Sequence, residues 1–460
     1  MAHTTLALVT MSAARADRPL RFPARLAVGV AVMVLLLPVP SLADSDEALV
    51  QEAPAPLPKP PAAVLKQAIP GLEEAMRDLP PFIRDTDLNL HFRTFYFNRE
   101  NTNDTENEAW AIGGWLEYTS GWLEDTFRIG AVGYTSQPLY APDDRDGTLL
   151  LAPGQEGITV VGQAYGQLRY KEYALLTGYR QLVDDGYVNP QDNRMIPNTF
   201  MGVTLKGAVE WVRYHVGFLW DIKPRDSNDF ISMSQQAGAT GEDEGLLLTS
   251  VTLTPVKPLN VYLGNYYVPN VFNTAFGKAT YTQPLTQDLS LQIGVQGTDQ
   301  RSVGDEQIGD FRTWNVGLGF RFQYRGLSVG AATNFTGDDA SIQSPYGSWP
   351  GYVSMIEVDF DRAGEKAWGV GVKYDFGEML LPFRVPGLSV YLAYAEGRGQ
   401  QDPATGNGLP TTREGDLDII YNVPVVKGLQ FRFRNAYVDD GGEQVGYQFR
   451  LIVNYEVDVL

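Results

Sequence analysis

Leu429-Gln430-Phe431-Arg432-Phe433-Arg434 sets an apolar residue at every second position and a polar or charged one between them. A segment with this period of two is a strand with two chemically different faces. Leu417-Asp418-Ile419-Ile420-Tyr421 and Tyr447-Gln448-Phe449-Arg450-Leu451 repeat the pattern. From Leu88 to the C-terminus, segments of about ten residues carry it, divided by turn residues. A soluble sandwich alternates as well, but its polar face meets water and its apolar face a core. Here an export leader precedes the strands and no long apolar helix follows them. The combination predicts an all-β fold, a transmembrane antiparallel β-barrel with lipid on the apolar face and a lumen on the polar one.

Residues 1–43 read as a cleaved signal peptide. Arg15, Arg18, Arg21 and Arg25 form a basic region, Leu26 to Leu37 is a short apolar stretch, and Ser41-Leu42-Ala43 is a small-x-small cleavage site. The basic region is long enough for translation to begin at Met11. Residues 44–86 differ in composition. Glu52 to Pro61 is Pro-rich, and Ala62 to Leu79 accommodates a short helix broken near Pro70-Gly71. This part reads as a periplasmic linker or a partial plug. Residues 87–460 are the barrel.

The chain has 460 residues, rich in Gly (47), Tyr (24) and Phe (21). Glycine relieves crowding in curved sheets, and aromatic rings form interfacial girdles on barrels. A net charge of −19 argues against a nucleic-acid partner. Acidic loops suit a surface among outer-membrane lipid and lipopolysaccharide. With no cysteine, disulfides, thiolate nucleophiles and Cys-ligated metals are excluded.

Short links at Ser120-Gly121, Lys171-Glu172, Lys206-Gly207, Lys257-Pro258, Arg325-Gly326 and Lys427-Gly428 alternate with long polar ones. The longest run from Gln137 to Gly157, Asp184 to Pro197, Pro224 to Glu244 and Asp338 to Lys366. Short periplasmic turns and long outer loops are the barrel arrangement, and the count comes to about eighteen strands, an even number as closure needs. A barrel of that size holds an aqueous channel unless loops fold inward.

Several arginines fall on the polar face: Arg93, Arg128, Arg321, and the group Arg432, Arg434 and Arg450. Guanidinium is permanently charged and binds carboxylate through parallel N–H bonds, so a row of them offers an anion path. Alternatively each pairs with a wall acid such as Glu117 or Asp418 and braces the barrel. Few acids stand in phase near the last group, which favours a transport role there.

Asp192 to Phe200, Lys223-Pro224-Arg225-Asp226-Ser227 with Phe230 and Met233, Pro345 to Tyr352, Asp361 to Trp368, Tyr394 to Gly399 and Leu429 to Ala436 resemble, in order and spacing, the OprD-type outer-membrane porins. The resemblance runs from about Leu88 to Tyr455. It implies an eighteen-stranded barrel in the outer membrane of a Gram-negative bacterium, a monomer or loose homotrimer. It implies a selective channel for small carboxylate solutes such as amino acids and aromatic acids. By motif Arg194 belongs to the constriction loop, and Arg432 and Arg434 to a basic ladder. Two departures stand out. Ala393 occupies a place where the family often has a basic residue, and Leu460 ends the chain where barrels usually carry an aromatic.

Beyond the leader there are two histidines, His91 and His215, for a hydrolytic triad, and no Gly-x-Ser-x-Gly turn. Asp143 to Gly147 lacks the distal Glu of a calcium loop. The reading is therefore a passive porin with no enzymatic activity, cofactor or metal. The rivals are a barrel-borne hydrolase, or a structural barrel with a partner-binding N-terminal arm. Arg194 is expected at the aperture, with Asp192 or Asp359 engaging a positive group of an amphoteric solute.

Overall fold

The computed structural model describes residues 59–241, 243–378 and 383–460, so the expected signal peptide and most of the Pro-rich stretch lie outside the described residues. Among these residues one antiparallel sheet holds eighteen strands of 8 to 14 residues, from Asp87–Glu100 to Gly446–Asp458. The last strand pairs with the first, from Asn89↔Asp458 to Glu100↔Tyr447. Closure leaves no row of unpaired backbone groups to face lipid. A further two-residue strand, Ile231–Ser232, pairs with Asp221 and Ile222 inside a loop.

The two faces separate as the alternation requires. Along Arg312–Tyr324, Trp314, Val316, Leu318 and Phe320 are exposed to the outside while Thr313 and Asn315 are buried inside. In the last two strands Phe431, Phe449 and Leu451 face outward, and the Phe433 ring meets that of Phe449 at 5.3 Å in the same outer row. Arg432, Arg434 and Arg450 point into the lumen, with Arg450 only 1% exposed.

One expected turn is displaced. Lys206-Gly207 lies within the strand Thr199–Val209, and the chain reverses at Glu210-Trp211, where Glu210 has φ 52°. Gly207 marks a close approach rather than a turn, since a Cβ there would lie 1.9 Å from the Tyr173 carbonyl oxygen.

Of the segment before the barrel, three short helices are described: Val64–Ala68, Leu72–Arg77 and Pro81–Arg84. They meet the end of the barrel that carries the short turns. Leu65 N donates to Val459 O at 2.9 Å, and Gly121 N donates to Phe82 O at 3.1 Å.

Three long loops turn into the lumen and bury apolar side chains against its wall. The loop at 182–198 contributes Val183, Tyr187 and Val188 to one core and Met195 and Ile196 to another. The loop at 337–365 supplies Tyr346 and Trp349 to the first core, and Tyr352, Val353, Met355 and Phe360 to a third. Leu150 and Leu151, from 141–157, join Phe95 and Phe97 in the second. These apolar contacts hold the loops inside.

Candidate functional site

The inward loops at 182–198 and 337–365 are bonded to each other. Asn189 Nδ2 donates to Ser348 O at 2.8 Å, Ser348 N returns a bond to Asn189 Oδ1 at 2.9 Å, and Trp349 Nε1 donates to Tyr187 OH at 3.1 Å. Each is also fixed to the wall. Asp185 is met by His215 Nδ1 at 2.5 Å, Ser250 Oγ at 2.7 Å, and the hydroxyls of Tyr262 and Tyr266. Burial alone would raise the Asp185 pKa, but His215 and the hydroxyls outweigh it and hold the carboxylate below the usual range. On the other side, Glu414 accepts from the backbone N–H groups of Glu357 and Val358 at 2.8 and 2.7 Å, and Asp416 from that of Ile356 at 3.1 Å. Two strand carboxylates thus hold up the tip of the second loop.

The loops leave a cluster of guanidinium groups around Phe97. Arg450 lies 4.5 Å from the Phe97 ring centre, Arg194 at 5.0 Å and Arg99 at 5.9 Å. Arg225 joins through Asn193, whose side-chain oxygen takes a bond from Arg225 and whose carbonyl takes one from Arg194 at 3.0 Å. Glu357 is the acid the four share: it bonds Arg99 at 2.7 Å, lies 3.8 Å from Arg450, and attracts Arg194 and Arg225 through space. Burial, then the neighbouring guanidinium groups, pushes the Arg194 pKa down. Burial takes Arg225 to about 10, so it stays charged at neutral pH. Glu357 is held ionised: burial opposes this, and Arg99 and Arg450 overcome it. Asp359, bonded to Ser354 at 2.5 Å, is raised by burial to about 6. A cavity of about 570 Å³ at the outer mouth touches Glu357 and Asp359, and one of about 900 Å³ lies beneath the loops beside Lys206, Arg213 and Lys278.

The structure gathers some of the expected residues and separates others. Arg194 and Arg450 are in the cluster. Arg194 does not pair with Asp192: its Nε donates to Thr148 O at 2.7 Å, and Asp192 is bound by Arg93 at 2.7 Å. Arg93 also donates to Arg194 O at 2.6 Å and Asn454 at 2.8 Å, which makes it a brace between wall and loop. The last arginine group is not short of acids. Asp418, on the adjacent strand, accepts from Arg432 at 2.9 Å and lies 3.1 Å from Arg434. Asp418, Arg434, Arg450 and Phe97 form one row across four neighbouring strands. Arg128 sits apart at the short-turn end, bonded to Gln167 at 2.6 Å and stacked over Trp122. Arg321 faces the lumen opposite Gln292, with five strands between its own and the last. Asp359 lines the mouth without touching an arginine directly. The sequence reading missed Arg99, Arg225 and Glu357. Arg99 was within reach of it, being in phase with Arg93, whereas Glu357 lies in a loop with no period to place it.

Neither histidine stands in a hydrolytic chain. Ser250 Oγ and His215 Nδ1 both bond Asp185 Oδ2, so the hydroxyl is not on the imidazole, and His91 is stacked on Trp115 at 3.7 Å. Among the described residues no group of acids and histidines fits a metal ion.

Residues 80–459 match the family model described as outer membrane porin, OprD family. Porin D of Pseudomonas aeruginosa is 24% identical over 421 residues, which cover 82% of this chain and 92% of that protein. Among solved structures, P. aeruginosa OccK9 (OpdG) is similar with a TM-score of 0.73 at 24% identity, covering 82% of this chain and 99% of that one. A BenF-like porin from Pseudomonas fluorescens gives a TM-score of 0.75 at 21% identity, covering 82% of this chain and all of the other. P. aeruginosa OpdK, solved with vanillate, gives 0.73 at 22% identity, with the same coverage.

Proposed function

Since this chain belongs to the OprD family of outer membrane porins and forms a channel in the Gram-negative outer membrane, we propose that the solutes it selects are small carboxylates, amino acids and aromatic acids among them, moving by passive diffusion. The observation that carries this reading is the charge balance at the inward loops. Arg99, Arg194, Arg225 and Arg450 gather around Phe97 and Asn193 with Glu357 as their shared acid. Among the described residues Glu357 is the one carboxylate in ion-pair contact with these four, and such a guanidinium cluster draws a further carboxylate from solution. Phe97, fully buried, holds the guanidinium groups of Arg194 and Arg450 over its ring and keeps their charge turned together. The vanillate in the OpdK structure is a solute of this kind, bound by a similar fold.

The route runs from the outer mouth past the cluster to the lower cavity, where Lys206, Arg213 and Lys278 keep the lining basic. Asp359 at the mouth offers a partner to the ammonium of an amino acid. Single-channel conductance in planar bilayers tests the reading. Benzoate should block the potassium chloride current in a dose-dependent way, and benzyl alcohol, similar in size but neutral, should not. Equal effects of the two would reject carboxylate selectivity.

A further inference from the structure

The chain's own carboxylate already sits on the arginines nearest the outer mouth. Glu357 Oε1 accepts from Arg99 Nη1 at 2.7 Å, and its Oε2 is bound by Gln448 Nε2 and lies 3.8 Å from Arg450 Nη2. The donors stand on the first and last strands, where Arg99 faces Gln448 and Phe97 faces Arg450 in register. Their positions are therefore fixed by the sheet. The carboxylate comes from a loop. Its backbone is held from behind by Glu414 and Asp416, which leaves the Glu357 side chain reaching across to the wall. That side chain is 27% exposed and borders the mouth cavity, so an arriving solute meets it from the open side. The donors are not used up. Arg450 is 1% exposed, yet its Nη1 has no hydrogen-bond partner among the described residues.

We propose that Arg99, Gln448 and Arg450 form a carboxylate-binding site whose resident occupant is Glu357, and that a solute enters the channel by displacing it. The inference rests on the carboxylate reading above and adds the competitor. Exchanging one carboxylate for another leaves no buried guanidinium without an anion during entry. A tethered competitor also keeps solute binding weak, and a conducting site must be weak enough to let its ligand leave.

The Glu357→Gln variant keeps the side chain's size and removes its charge. In bilayers the concentration of benzoate giving half-block should fall about tenfold, because a short tether holds the competitor at an effective concentration of roughly millimolar. Each block should last longer, and benzyl alcohol should remain without effect. Glu357→Asp, which restores the charge, should return half-block toward the wild-type value. Arg450→Gln should raise it in either background. Heat-modifiable gel migration confirms that each variant is a closed barrel. If benzoate blocks wild type and Arg450→Gln weakens the block, but Glu357→Gln leaves it unchanged or weaker, displacement is wrong and the carboxylate reading stands. If benzoate blocks neither wild type nor any variant, both fall.

Discussion

Replacing Asp418 by Asn should make the channel more anion-selective although no basic residue is added. Asp418 lies against Arg432 and Arg434, two guanidinium groups to one carboxylate, so the trio carries a net charge of +1. Asp418→Asn takes it to +2, Arg434→Gln to 0, and the double change Arg432→Gln with Arg434→Gln to −1. A unit charge about 8 Å from a passing anion acts with about 2 kcal/mol at an effective dielectric constant near 20. Screening over a Debye length of about 8 Å leaves about 1 kcal/mol, a factor of roughly five per unit charge. Reversal potentials across a potassium chloride gradient read this directly. The expected order of anion preference is Asp418→Asn, wild type, Arg434→Gln, then the double variant. Asp418→Asn also leaves two guanidinium groups side by side, so gel migration has to confirm folding first. An Asp418→Asn channel that folds and is no more anion-selective than wild type would refute the idea that these arginines act on the path, and would leave them as wall braces.

Removing residues 184–197 should raise single-channel conductance several-fold and flatten discrimination among carboxylates, because this loop fills two of the three inner cores; unchanged conductance would move the constriction to the loop at 337–365. Lowering pH from 7.5 to 5 should raise anion selectivity. Asp359, raised by burial to about 6, is ionised above that value and neutral below it, so acid removes a negative charge from the mouth; Asp359→Asn should reduce the change measured through that window, the remainder coming from Asp361, whose carboxyl burial also raises and which lines the same cavity. Glu414→Gln should bring frequent current flicker, since hydrogen bonds of roughly 0.5–1.5 kcal/mol each hold the Glu357 and Val358 amides in place; a quiet trace would mean the tip is fixed by its apolar contacts alone. Phe433→Arg should destabilise the barrel by roughly 2–4 kcal/mol in urea unfolding if it lies near the bilayer midplane.

The barrel was legible because its signal is local. A period of two in Phe431-Arg432-Phe433-Arg434 settles which side chains meet lipid, and no knowledge of the neighbouring strand is needed. Register is a different kind of information. Asp418 stands fourteen and sixteen residues from the arginines it binds, and only the pairing of Asp418 with Arg434 and Ile420 with Arg432 brings them together. Without register, the sequence reading named Asp418 as one bracing acid yet counted Arg432 and Arg434 as short of acids. The same limit hid the row from Asp418 to Phe97, which takes one residue from each of four strands. Loops are harder still. The resemblance of the stretch around Asp192 to a porin family assigned Arg194 to a constriction loop, and Asn189 and Ser348 bond that loop to the one at 337–365. What each loop residue touches follows from packing against a wall formed by distant strands. Arg194 reaches Thr148 in a third loop while its neighbour Asp192 goes to Arg93. Glu357 shows the consequence for selectivity most clearly. It is one acid in an acidic chain, and it reaches Arg99 and Arg450 because Glu414 and Asp416, two residues apart on one strand face, hold the backbone of its loop over the lumen. Under the displacement proposal, the charge that a solute exchanges with is set by that pair of strand carboxylates, neither of which bonds the arginines of the cluster.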